Sequence, residues 1–147
     1  MTRIKILVGI MLTLGATALL AQQYSEYTVA TRGIDAGATS NVNEVITLTK
    51  YEDVSVKVKS IAGLAASGCL SGVVKTTFNW SANGVDYLAV PLVMMTTGPV
   101  AGTPVVAISN QTMGAVGYLK LTTIQNLTEG VVTTSVRVAT KPQRFGK

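Results

Sequence analysis

Residues Asp53 to Ile61 alternate with a period of two: Val54, Val56 and Val58 stand between Ser55, Lys57 and Lys59. Successive side chains of a strand point to opposite faces, so the valines share one face and the polar residues the other. A helix would scatter the same residues around its circumference. The pattern recurs. In Val73 to Trp80, Val74, Thr76, Phe78 and Trp80 share a face, opposite Val73, Lys75, Thr77 and Asn79. In Val131 to Ala139, Val132, Thr134, Val136 and Val138 point inward and Arg137 outward. A strand that is dry on one side must bury that side against a second layer, so the repetition predicts two packed sheets.

Tyr24 to Arg32, Asn43 to Lys50, Val85 to Met95, Val105 to Ser109 and Ala115 to Ile124 read as further strands, with Leu119 and Leu121 opposite Tyr118, Lys120 and Thr122. Turn residues separate them at Gly33 to Asn41, Ala62 to Gly72, Thr96 to Pro104, Asn110 to Gly114 and Gln125 to Gly130. Ser81-Ala82-Asn83-Gly84 predicts a tight hairpin, because Asn-Gly tolerates the positive φ angles of a short β-turn. The near-continuous apolar run Tyr87 to Met95 predicts a strand covered on both sides, with Pro91 at a bulge or edge. The expected fold is all-β: a single antiparallel β-sandwich, jelly-roll or Ig-like, of about 7–8 strands. Apolar residues at 48% and charged residues at 13% supply a core and argue against disorder. The expected division is an apolar N-terminal leader at 1–21, an extended N-terminal segment at 22–41, the sandwich at 42–140 and a basic C-terminal tail at 141–147.

The leader has the anatomy of a signal peptide. Thr2-Arg3-Ile4-Lys5 is positive, Ile6 to Leu20 is apolar without a charge, and small residues at Ala16-Thr17-Ala18 and Leu19-Leu20-Ala21 offer cleavage positions. The run falls short of the roughly 20 residues a helix needs to span a bilayer. Three fates fit it: cleavage on export, retention as an arm in an assembly, or membrane contact through residues 6–20 if it stays uncut. The expected location is extracellular or virion-bound.

Chemistry-bearing residues are sparse. The chain has no histidine, which removes the commonest general base and transition-metal ligand. Its seven acids are Glu26, Asp35, Glu44, Glu52, Asp53, Asp86 and Glu129, and only Glu52 and Asp53 are adjacent. Neighbours in a strand face apart, so they make a poor catalytic pair. No phosphate loop, nucleophile elbow or dinucleotide fingerprint occurs. No catalytic, cofactor or metal site is expected. A calcium site at Asp35, Glu52 or Asp53 lacks the spacing of a dedicated loop. The one cysteine, Cys69, reads as a small buried hydrophobe, with an intermolecular disulfide as the other use. Asn79-Trp80-Ser81, Asn110-Gln111-Thr112 and Asn126-Leu127-Thr128 match the glycosylation triplet, but chance triplets are expected in a Thr- and Asn-rich strand protein and they read as turn chemistry, with glycosylation as the other use. Arg137, Lys141, Arg144 and Lys147 follow the last acid; with Phe145 as the one aromatic among them, they make no specific nucleic-acid site.

The stretch Phe78-Asn79-Trp80-Ser81-Ala82-Asn83-Gly84-Val85-Asp86-Tyr87-Leu88-Ala89-Val90-Pro91 resembles a hairpin of small β-sandwich structural and decoration proteins of tailed-phage virions. Gly117-Tyr118-Leu119-Lys120-Leu121, Thr133 to Ala139 and Val54 to Val58 fit the same scheme, so the resemblance spans Val42 to Thr140. It implies a decoration, head-fibre or minor virion component, or a carbohydrate-binding module.

Two function classes follow. One is a non-enzymatic subunit that self-associates or decorates a larger assembly, such as a virion or an extracellular filament. The other is a secreted binding module for carbohydrate. For either, the candidate contact surface is Trp80, Asn83, Tyr87 and Tyr118. Trp80 reads either as a core residue capping one end of the sandwich or as an exposed platform beside Tyr87.

Overall fold

The structure is a computed structural model that describes residues 25–49, 51–64, 66, 68–112 and 117–142. Eight strands form: β1 (Ser25–Ile34), β2 (Thr39–Thr47), β3 (Tyr51–Ala62), β4 (Val73–Ser81), β5 (Leu92–Thr97), β6 (Val105–Thr112), β7 (Tyr118–Asn126) and β8 (Val132–Pro142). They make two four-stranded antiparallel sheets, ordered β1-β8-β3-β6 and β2-β7-β4-β5. Paired strands within this order include β1 with β8, β2 with β7, β3 with β6 and β4 with β5. The chain is thus a long ribbon folded on itself and rolled up, with the β3–β8 and β4–β7 pairings completing the sheets. That is the jelly-roll form of the expected sandwich.

The alternating residues fill the space between the sheets. Val54, Val56 and Val58 from β3, Val132, Val136 and Val138 from β8, and Val74 and Phe78 from β4 are fully buried. On β7 the period slips by one residue, so that Leu119 and Leu121 and then Ile124 all point inward. Phe78 pairs with Leu121 and Thr77 with Thr123, which leaves Thr122 as the extra residue of a bulge. Thr122 Oγ1 donates to the Thr77 carbonyl at 3.0 Å, a bond that supports the break in the ladder. Inside the core, a hydroxyl chain joins the sheets: Thr96 Oγ1 lies 2.7 Å from Ser60 Oγ, which lies 3.1 Å from Thr134 Oγ1. These polar groups are buried but paired, as burial requires.

Several expectations need correction. Residues 25–41 are not a segment ahead of the sandwich, since they supply β1 and the start of β2. The loop between these strands shrinks to a turn, closed by Ala38 N–H donating to the Asp35 carbonyl at 3.1 Å, with Gly37 at φ 71°. Asn83-Gly84 does not make a tight hairpin. Ala82 to Pro91 form a wide loop, and β5 begins only at Leu92. Asn83 keeps a negative φ and only Gly84 is positive, at 79°, so the two positive φ angles of a type I′ turn are not both present. Pro91, which lacks an N–H, ends the loop where the ladder starts. Cys69 is exposed rather than buried. It lies on the β3–β4 crossover in an isolated antiparallel bridge with Val100, and the neighbouring Leu70 takes the buried place. The leader and residues 22–24, Lys50, Ala65, Ser67, the end of the expected Asn110–Gly114 turn (113–114), the start of the expected Ala115–Ile124 strand (115–116) and the tail beyond Pro142 lie outside the described residues.

Candidate functional site

The rolled topology gathers the loops at two ends. The turns β1–β2, β3–β4, β5–β6 and β7–β8 lie at one end, where Asn126 is buried. The β4–β5 loop, the finish of β2, β6 and β8 and the start of β1, β3 and β7 lie at the other. All four sequence-predicted contact residues fall at this second end. Trp80 and Ser81 finish β4, Asn83 and Tyr87 belong to the β4–β5 loop, and Tyr118 opens β7 directly opposite Ser81.

The β4–β5 loop is pinned by its own polar side chains. Asn83 Oδ1 accepts from the N–H groups of Val85 and Asp86, each at 2.9 Å, and pairs with Ser81 Oγ at 3.0 Å. Ser81 Oγ in turn accepts the Gly84 N–H at 2.9 Å, and Asn83 Nδ2 donates to Asp86 Oδ2 at 2.8 Å. This is an Asx turn extended by a serine. Leu88 N–H then donates to the Trp80 carbonyl at 2.8 Å, and Asn79 Nδ2 donates to the Leu88 carbonyl at 3.1 Å. Gly84 lies against the Tyr118 ring, so closely that a Cβ there would meet ring carbons at 3.2 Å.

These anchors hold three aliphatic side chains in water: Val85 is 78% exposed, Leu88 58% and Val90 80%. The aromatic residues sit lower. Trp80 packs partly buried against the core, and Tyr87 and Tyr118 are half-buried. Lys120 Nζ stands 5.4 Å from the centre of the Tyr87 ring, in cation–π range. The Tyr87 hydroxyl is buried and finds no partner among the described residues. The one acid of the loop, Asp86, is engaged by Asn83. Among the described residues no three His, Cys, Asp or Glu side chains gather as metal ligands.

The four residues singled out from the sequence are an aromatic and amide set, and the structure brings them to one end, where Val85, Leu88 and Val90 are the exposed apolar groups. Sequence reading did not single out these three, because the apolar run Tyr87 to Met95 looked like a strand buried on both sides. Asn83 and Gly84 just before that run and Pro91 inside it were the signal that it opens as a loop.

No family model matches the chain, and no curated protein matches it in sequence. Solved structures share its fold. A structure of infectious bursal disease virus, Gx strain, is 12% identical with a TM-score of 0.54, over 85% of this chain and 34% of that one. The VP2 subviral particle of infectious bursal disease virus is 10% identical with a TM-score of 0.51, over 82% and 33%. Tripeptidyl peptidase 2 is 8% identical with a TM-score of 0.55, over 81% and 10%. The chain spans about a third of each viral chain and a tenth of the peptidase. At such identities the likeness is one of fold alone.

Proposed function

We propose that this protein is a non-enzymatic structural subunit that joins a larger assembly, a virion surface or an extracellular filament, through the β4–β5 loop end. The observation that carries the reading is the pinned loop presenting Val85, Leu88 and Val90 to water. Ordering an apolar surface in advance lowers the entropic cost of forming a contact, and exposed apolar groups gathered on one rigid loop mark interaction sites. Trp80, Tyr87 and Tyr118 form the half-buried base of this surface. Their rings are partly covered, so the end offers aliphatic contact more than an open aromatic platform. That favours a protein partner over carbohydrate.

The test is a mass-resolved size-exclusion measurement on the full chain, expressed with its own leader and purified as the cell leaves it. The wild type is expected to associate, and the V85S/L88S/V90S variant to lose at least tenfold in association while its unfolding midpoint stays put. A wild type that stays monomeric at high concentration and binds no particle of its host overturns the reading. Binding of the wild type on a glycan array would move it to the carbohydrate class.

A further inference from the structure

The two flanks of the sandwich, where the sheets end among the described residues, differ in how they are guarded. On one flank, β1 carries Glu26 and Arg32 and a bulge between Thr28 and Ala30. Its neighbour β2 carries Glu44, a bulge between Asn41 and Glu44, and Asn43 at φ 57°. Charges and bulges are the usual means of keeping an edge from pairing with another chain. On the other flank, β5 is a short strand following Pro91. β6 has neither device. Val105–Thr112 contains no charge and no proline, and its pairing with β3 runs without a shift from Asp53↔Thr112 to Ser60↔Val105. On its outer face Val106 is 45% and Ile108 58% exposed, while Ala107 faces the core. Among the described residues no strand pairs with the outer edge of β6.

We infer that β6 is a self-pairing edge, at which a second copy of this chain adds its own β6 antiparallel about a two-fold axis. The segment is self-complementary. With Ala107 opposite the Ala107 of the second copy, each Val106 falls opposite an Ile108, so both exposed β-branched residues gain a cross-strand partner. No charge on either strand opposes this register. The nearest cations, Lys59 and Lys57, stand opposite Val106 and Ile108 one strand further in on β3. Lysines from the two copies are then separated by three strand spacings, about 14 Å, beyond the screening length at physiological salt. The product is one continuous eight-stranded sheet with an isologous interface. This deepens the assembly reading: an edge that makes pairs, combined with a loop end that makes a different contact, gives a subunit two kinds of link.

The experiment compares the full-length wild type with V106E/I108E by mass-resolved size exclusion, and follows A107C in a C69S background for disulfide cross-linking under mild oxidation. In the subunit the two glutamates stand opposite Lys59 and Lys57, whereas across the two-fold they oppose each other, so the wild type is expected to contain a dimer that V106E/I108E reduces at least tenfold without lowering the unfolding midpoint, and A107C is expected to cross-link as a dimer. If the wild type associates but the glutamate variant associates equally and A107C stays uncross-linked, the β6 assignment falls and the assembly reading stands. If the wild type is monomeric throughout, both fall.

Discussion

The two ends of the sandwich are built from the same residue types and do opposite things with them. Each has an asparagine at its centre. At one end Asn126 is fully buried. Its Nδ2 reaches the carbonyls of Ile34, Asp35 and Gly130 at 3.0, 3.1 and 2.8 Å, and its Oδ1 accepts from Thr128 N–H at 3.0 Å and Thr128 Oγ1 at 2.7 Å. Its own N–H donates to the Ala38 carbonyl at 2.9 Å. One side chain therefore ties the β1–β2 turn to the β7–β8 turn. At the other end Asn83 is exposed and bonds within its own loop. The first asparagine joins elements distant in sequence; the second shapes a single loop and leaves its apolar side chains outside. The difference separates an end whose asparagine ties distant strands together from an end whose asparagine leaves apolar side chains exposed.

That contrast breaks first at Asn126. Asn126→Ala strips several carbonyls in a buried site of their donor and is expected to cost about 3–4 kcal/mol. The midpoint of urea unfolding measures it, and a loss under about 1 kcal/mol would show that the two turns hold without the amide. Asn83→Ala removes a cap from an exposed loop and is expected to cost only about 1 kcal/mol. Its larger effect falls on association, since the loop then pays ordering entropy on binding; equal association by wild type and variant would break the link between pinning and contact. The smallest effect is at Tyr87→Phe. This removes a buried hydroxyl that has no partner among the described residues, so stability in thermal unfolding is expected to be unchanged or raised by up to about 1 kcal/mol. A clear loss would mean that the hydroxyl has a partner after all.

Much of the fold was legible because burial enforces a period of two. Val54, Val56, Val58 and Val132, Thr134, Val136, Val138 were assigned inward from alternation alone, and all are buried. What the sequence hid was wherever alternation is broken for a local reason. Thr122 breaks it with a bulge, which rescues Ile124 for the core. Tyr87 to Val90 break it by continuous apolarity, which burial on two faces and a pinned loop produce alike. Strand pairing was also hidden, because pairing β1 with β8 depends on contacts across nearly the whole described chain. The role of Asn126 sat inside a triplet that reads as turn chemistry, with glycosylation as the other use. With its amide buried and fully bonded, the folded structure favours the turn. Trp80, Asn83 and Tyr87 stand close together in the sequence around Asn-Gly, whereas Tyr118 joins them only through the β4–β7 pairing, and the solvent exposure of all four is a tertiary property.

The ribbon pairing also sets an order of events in time. β4 and β5 are close along the chain and can meet early, whereas among the described strands β1 pairs only with β8. Contacts of such long sequence separation make for slow folding. A newly made chain therefore cannot close its sandwich while β8 is still being synthesised, and β1 waits through that interval for the strand it pairs with. The last of the eight strands to be made is also the one whose arrival ends the wait.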